Sequence, residues 1–215
     1  HQQFSQTMAS GIRLTALLTV PASCGLWVMS KPIIGLLFQH GNFSAAATET
    51  TARALSGLAI GLAGFSIYLF VLRGFYARND TRTPFFINIG ENAINIVLAI
   101  VLVDRHGVFG LGLAFSIAYL VSALVALLVL ESTEVDIKLS ELAFNIARIS
   151  FAAGAMTYAV WFTIQYIGSD AGLGALTRVI AGTLIGVTTY VVALSALGEK
   201  TMRDYLSSKI TKSSR

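Results

Sequence analysis

The chain has 215 residues, of which 55% are hydrophobic and only 12% charged, and its mean hydropathy is +0.72. Soluble domains carry about 25% charged residues, so this composition argues against a water-soluble globule. The formal charge of +4 does not call for a nucleic-acid partner, because the basic residues gather at the ends of apolar runs and in the C-terminal tail, where lipid headgroups account for them.

Six apolar runs, at 11–29, 51–72, 85–103, 108–130, 142–167 and 173–197, are long enough to span a bilayer, for which ~20 residues suffice. Backbone groups cannot stay unpaired in lipid, so each run must be a helix or a strand of a closed barrel. Barrel strands are shorter and alternate in polarity. The prediction is an all-α polytopic membrane protein with six transmembrane helices.

The chain opens on His1 and a polar approach, Gln2 to Ser10, so it reads as a piece of a longer protein or one whose start is missing. Pro21 lies near the middle of the first run, where it removes a backbone hydrogen bond and kinks a helix. Cys24, the single cysteine, cannot form an internal disulfide and is read as a small packing residue. Ile33 to Phe38 is apolar but too short to cross, and reads as an interfacial or partly re-entrant segment. His40, beside Gly41 and Asn42, reads as a solvated loop histidine.

In the second run Gly57 and Gly61 allow close helix approach, a pattern repeated by Gly182 and Gly186 in the sixth. Pro84 suits the first turn of the third helix, with Thr81 and Thr83 as candidate caps and Asp80 nearby. The third and fourth runs are joined by the short link Asp104 to Gly107, which makes them antiparallel neighbours. The fifth carries Arg148, close enough to its end to snorkel. Ser207 to Arg215 is a polar, basic tail of the composition that stays disordered.

Six spans leave both termini on one side. Eleven of the lysines and arginines fall on that side and four (Lys31, Arg53, Arg105 and Arg178) on the other. The excess of positive charge marks the terminal side as cytoplasmic.

The third run holds the chemistry. Asn88, Glu91, Asn92 and Asn95 fall within an arc of about 100° on one helix face. Glu91 is the only carboxylate well inside any span. An acid there is costly and should face protein interior or a watery cavity rather than lipid. The four residues are predicted to line a transport cavity or to hold a cation or proton; the alternative is a helix–helix hydrogen-bond network with no transport role. Ahead of them lie Arg73, Arg78 and Arg82. They are either topology anchors at the headgroup level or readers of phosphate, which the planar guanidinium recognises well.

The stretch from Arg73 to Pro84, Arg-Gly-Phe-Tyr-Ala-Arg-Asn-Asp-Thr-Arg-Thr-Pro, resembles a signature of the MurJ/MviN family of lipid II flippases, in the MOP exporter superfamily. Pro21, the run Leu36 to Phe43 and the turn Gly107 to Ala114 are similar to that family too. Residues 131–215 match it only in character.

The resemblance implies a fourteen-helix fold in which two six-helix lobes enclose a cavity and two further helices follow. Residues 1–130 would then be four helices of the second lobe, and 131–215 the extra pair with its basic tail. It implies transport of an undecaprenyl-pyrophosphate-linked peptidoglycan precursor across the bacterial cytoplasmic membrane, with both chain ends cytoplasmic. The partners would be that precursor, membrane lipids and the missing N-terminal helices; no bond chemistry, no cofactor and no nucleic acid are expected. A coupling cation, sodium or a proton, would sit in the second lobe. The family builds that site partly from an Asn and an Asp on the eleventh helix, where this chain has Glu91 and no Asp. The family's pyrophosphate-binding arginines belong to helices that this sequence does not include, so none is carried over; Arg73, Arg78 and Arg82 would instead meet the headgroup at the cytoplasmic mouth. Another MOP exporter, for a different polyprenyl-linked oligosaccharide or for a drug and cation, and a non-transporting scaffold of cell-wall synthesis are the competing readings.

Overall fold

The computed structural model describes residues 2–133, 137–170 and 172–197. These form seven helices: α1 (Gln2–Val28), α2 (Ser30–Phe38), α3 (Ala45–Ala77), α4 (Arg82–His106), α5 (Val108–Ser132), α6 (Leu139–Tyr166) and α7 (Gly172–Ala196). Among the described residues, α1, α3, α4, α5 and α7 are long and apolar enough to cross a membrane. The remaining expected span is α6. Its 28 residues are ample for a crossing, but Glu141, Asn145, Arg148 and Gln165 dilute its apolar character. It still turns Phe144, Phe151, Tyr158, Trp161 and Phe162 outward. Large exposed apolar side chains ring the other helices as well, among them Leu18, Phe86, Val97, Leu128 and Leu184. This belt is what a lipid-facing surface requires. The basic tail and its Lys200, Arg203, Lys209, Lys212 and Arg215, like Glu134 and Asp136 of the α5–α6 link, lie outside the described residues.

The short apolar piece after the first span folds as the nine-residue helix α2, which packs on α3 and α7. His40 follows it in an exposed loop, as its neighbours predict. Helix α3 is 33 residues long, about 50 Å at 1.5 Å per residue, and exceeds a ~30 Å hydrocarbon core. Ser44 caps its start by accepting from the Ala47 N–H. Its end is closed by Asn79, which takes a left-handed φ of 59°. The Asp80 N–H bonds the Phe75 carbonyl and the Asn79 N–H the Tyr76 carbonyl. This is the double closure that lets Asn stand in for glycine at a helix end.

Helices α3 and α5 form the tightest pair, and small residues are the reason. A Cβ on Gly57 would come within 2.7 Å of the Phe109 carbonyl oxygen, and one on Gly112 within 2.8 Å of the Leu58 nitrogen. Ser116 Oγ donates to the Gly57 carbonyl at 2.6 Å across the seam. Gly182 and Gly186 similarly let α7 close on Met156 and Val160 of α6. Helix α4 joins α5 through Gly107 alone, at φ 58° and ψ −137°, which only glycine adopts without strain. The antiparallel α4–α5 pairing follows.

Helix α1 runs unbroken through Pro21. Proline has no N–H, so the carbonyl four residues back, on Leu17, loses its helical donor. The Tyr190 hydroxyl of α7 donates to that carbonyl at 2.7 Å, and the bond is buried. The proline thus creates the acceptor that ties the last helix to the first.

Candidate functional site

Helix α4 lies at the edge of the bundle. It rests on α5 and buries only Pro84 and Glu91. The boundary between its covered and uncovered sides runs through the polar arc. Glu91, at one edge of the arc, is 2% exposed. Asn95 is half-buried, while Asn88 and Asn92 are exposed. Asn92 Nδ2 donates to the Asn88 carbonyl at 2.8 Å and to Asn88 Oδ1 at 2.7 Å. The four residues predicted from the sequence therefore divide into an inward acid and an outward pair of linked amides.

Glu91 turns towards α3 and α5 rather than towards lipid. Tyr68 of α3 and Tyr119 of α5 lie within reach of its charge. Tyr68, Tyr119, Phe65 and Phe115 stack into one aromatic cluster, with the Phe65 and Tyr119 rings edge-on at 4.9 Å and those of Tyr68 and Tyr119 5.5 Å apart. Glu91 Oε1 is buried without a hydrogen-bond partner among the described residues, and the buried Tyr68 hydroxyl has only the Asn88 side chain near it. Buried polar atoms are nearly always paired, and leaving one unpaired costs about 1–3 kcal/mol, more for a charged group. Glu91 Oε1 is therefore the group left with unmet bonding capacity in the α3–α4–α5 contact, while the Tyr68 hydroxyl has the Asn88 side chain within its reach. Sequence reasoning found the acid but not Tyr68 or Tyr119, whose hydroxyls are hidden in runs that otherwise read as apolar.

Arg73, Arg78 and Arg82 are all exposed and cluster around the α3–α4 turn. Arg78 Nη1 donates to Thr133 Oγ1 at 2.6 Å, which fixes the turn to the end of α5. The capping differs from expectation. Thr81 occupies the cap position but its side chain makes no capping bond. Instead Asp80 Oδ1 accepts from the Arg82 and Thr83 N–H groups, both at 3.0 Å. The Thr83 hydroxyl and N–H, the Arg82 N–H and the Arg78 charge hold the Asp80 carboxyl below its usual range. A carboxylate reaches two donors where a single Thr hydroxyl serves one, which is why the aspartate prevails.

The opposite end of the bundle carries an ion cluster. Lys31 Nζ lies 3.2 Å from Glu49 and 3.3 Å from Asp170. Arg178 pairs with Asp170 and donates to the Ile167 carbonyl. These contacts bring α2, the start of α3 and the α6–α7 link together at one end, while Arg78 and Thr133 meet at the other. The alternation of span directions inferred from the sequence has the same pattern.

Comparison with known proteins gives this arrangement a family. The family described as "Lipid II flippase MurJ" matches residues 1–182. The chain is 29% identical to a probable lipid II flippase MurJ of Vibrio cholerae over 91% of its length and 38% of that protein's. It is 31% identical to one from Rhizobium meliloti, over 85% of the chain and 34% of the relative. A third, from Thermotoga maritima, is 32% identical over 88% of the chain and 37% of the relative. The chain spans between a third and two-fifths of the length of these relatives.

Proposed function

The chain belongs to the lipid II flippase MurJ family, and from that premise we propose that it forms the second-lobe part of a flippase carrying an undecaprenyl-pyrophosphate-linked peptidoglycan precursor across the bacterial cytoplasmic membrane. Helices α1, α3, α4 and α5 would be the lobe, and α6 and α7 the additional pair. Both ends of the chain would be cytoplasmic. Transport of this kind makes and breaks no bond. Its physical problem is moving a charged, sugar-bearing headgroup through ~30 Å of hydrocarbon. A hydrated cavity between two lobes avoids that desolvation, and alternating access moves its opening.

The observation that carries the reading is the division of α4. A membrane helix that exposes two linked amides, Asn88 and Asn92, beside a buried acid is poorly suited to face lipid along that edge. Its uncovered polar edge suits the wall of a wet cavity completed by a second lobe. Glu91, with its buried unpaired oxygen, would take up a proton or sodium ion from that cavity. Filling or emptying the site changes the local charge, and the membrane potential acts on such a charge with ~2.3 kcal/mol per 100 mV. Arg73, Arg78 and Arg82 would meet the pyrophosphate at the cytoplasmic mouth.

Glu91→Gln in the intact protein tests the acid. Gln keeps the shape and the hydrogen-bonding capacity but neither titrates nor carries charge. The expected result is loss of lipid II flipping in proteoliposomes with an unchanged melting temperature; full flipping by a normally folded variant refutes the proton or cation role. Replacing Arg73, Arg78 and Arg82 together by Lys keeps charge and topology while removing the planar fork. Transport should fall; unchanged transport and orientation would leave these residues as anchors only.

A further inference from the structure

Where α1 ends and α3 begins, an open cleft of about 320 Å³ lies between α1, α2, α3 and α6. The chain has two tryptophans, and both, Trp27 of α1 and Trp161 of α6, line this cleft. Each is 47% exposed. Its polar lining includes Lys31, Glu49, Arg53 and Ser30. Glu49 is already matched by Lys31 at 3.2 Å, so it does not act as an unopposed negative charge. Arg53 is different. It is exposed, and its guanidinium makes no ion pair or hydrogen bond among the described residues. Lys31 is shared between Glu49 and Asp170, and Asp170 also pairs with Arg178, so three cations stand against two carboxylates and the unspent positive charge is that of Arg53, the side chain best shaped for phosphate.

The level of the cleft narrows the ligand. Arg53 lies eight residues into α3, about 12 Å from its first residue. Helix α3 exceeds the hydrocarbon core by about 20 Å in all, so Arg53 falls close to the headgroup layer rather than at the bilayer centre. Tryptophan is enriched at that same level, where its ring rests on the acyl boundary and its N–H reaches polar groups. Val28 and Ala52 supply an apolar floor below the cation.

We infer that this cleft binds the phosphodiester of an anionic phospholipid, of the phosphatidylglycerol class, from the leaflet on that side, with Arg53 on the phosphate and Trp27 and Trp161 flanking the glycerol and upper acyl chain. A free phosphate ion would use the same guanidinium but gain nothing from the two indoles or the apolar floor. The site lies at the opposite end of the bundle from Arg73, Arg78 and Arg82 and is independent of the headgroup role proposed for them.

The test is native mass spectrometry of the intact protein, delipidated in neutral detergent and titrated with short-chain phosphatidylglycerol. One tightly held lipid is expected. Its affinity should fall about tenfold in Arg53→Gln, roughly the loss of one charge-assisted contact. Trp161→Ala should weaken it as well, and Arg53→Lys should restore part of the loss. Because Arg53 is exposed and holds no partner, Arg53→Gln should melt like the parent. Phosphatidylglycerol retained equally by Arg53→Gln overturns the assignment. So does displacement of the lipid by inorganic phosphate at matching concentration, which would make this a site for the free anion.

Discussion

Tyr190 shows how one side chain can answer a defect made far away in the sequence. Pro21 strips the Leu17 carbonyl of its helical donor, and the Tyr190 hydroxyl replaces it at 2.7 Å in a buried setting. Tyr190→Phe leaves a buried acceptor unpaired and should cost about 1–3 kcal/mol, read as a lower melting temperature in detergent. In a Pro21→Ala background the helical N–H returns to Leu17, so the same Tyr190 change should cost clearly less. Equal costs in both backgrounds would disprove the coupling. Nothing in the sequence announced this pairing. Pro21 was visible as a helix disruptor, but the identity of the donor depends on how α7 meets α1, which no local pattern encodes. Glu91 is the opposite case. A lone acid in an apolar run has few places to go, so its inward orientation could be read in advance, whereas the tyrosines around it could not.

Elements in this chain are positioned by small residues and by charges at their ends. The α3–α5 seam depends on backbone contact at Gly57, and backbone cannot move aside as a flexible side chain can. Gly57→Val should therefore cost about 1–3 kcal/mol or more, seen in thermal unfolding, while the same change at Gly90, which has open space around it, should cost far less. The small-residue spacing of Gly57 and Gly61 was legible in the sequence, although their partner helix was not.

At the other end Lys31 holds α2 to α3 and to the α6–α7 link. Glu49, then Asp170, raise its ammonium above the ordinary lysine value of 10.5. A folded-state value above the unfolded one gives stability that is fully present below about pH 10.5 and is lost as pH rises through the folded value. The pairs are about half-exposed, so the contribution is small, under about 1 kcal/mol. The melting temperature should drop more steeply above that pH in the parent than in Lys31→Met. Parallel curves would show that the pair carries no stability.

For the molecule as a whole, hydropathy and charge were enough to give the helices, their alternation and the membrane setting. They could not tell the two uncovered sides of α4 apart. One side carries Phe86, Ile89, Val97 and Ile100 and suits lipid; the other carries Asn88 and Asn92 and suits water. Both read as exposed in a chain that spans only part of its relatives' length. A transport cavity exists only if the amide edge is wet, and the wetness of that edge can be measured. It is tested most directly by cysteine accessibility in the intact protein in membranes, with its native cysteines, Cys24 among them, replaced by Ser. A membrane-impermeant maleimide should label Asn92→Cys and should not label Val97→Cys. Equal protection of both positions would put the amide edge against lipid or packed protein and contradict the cavity.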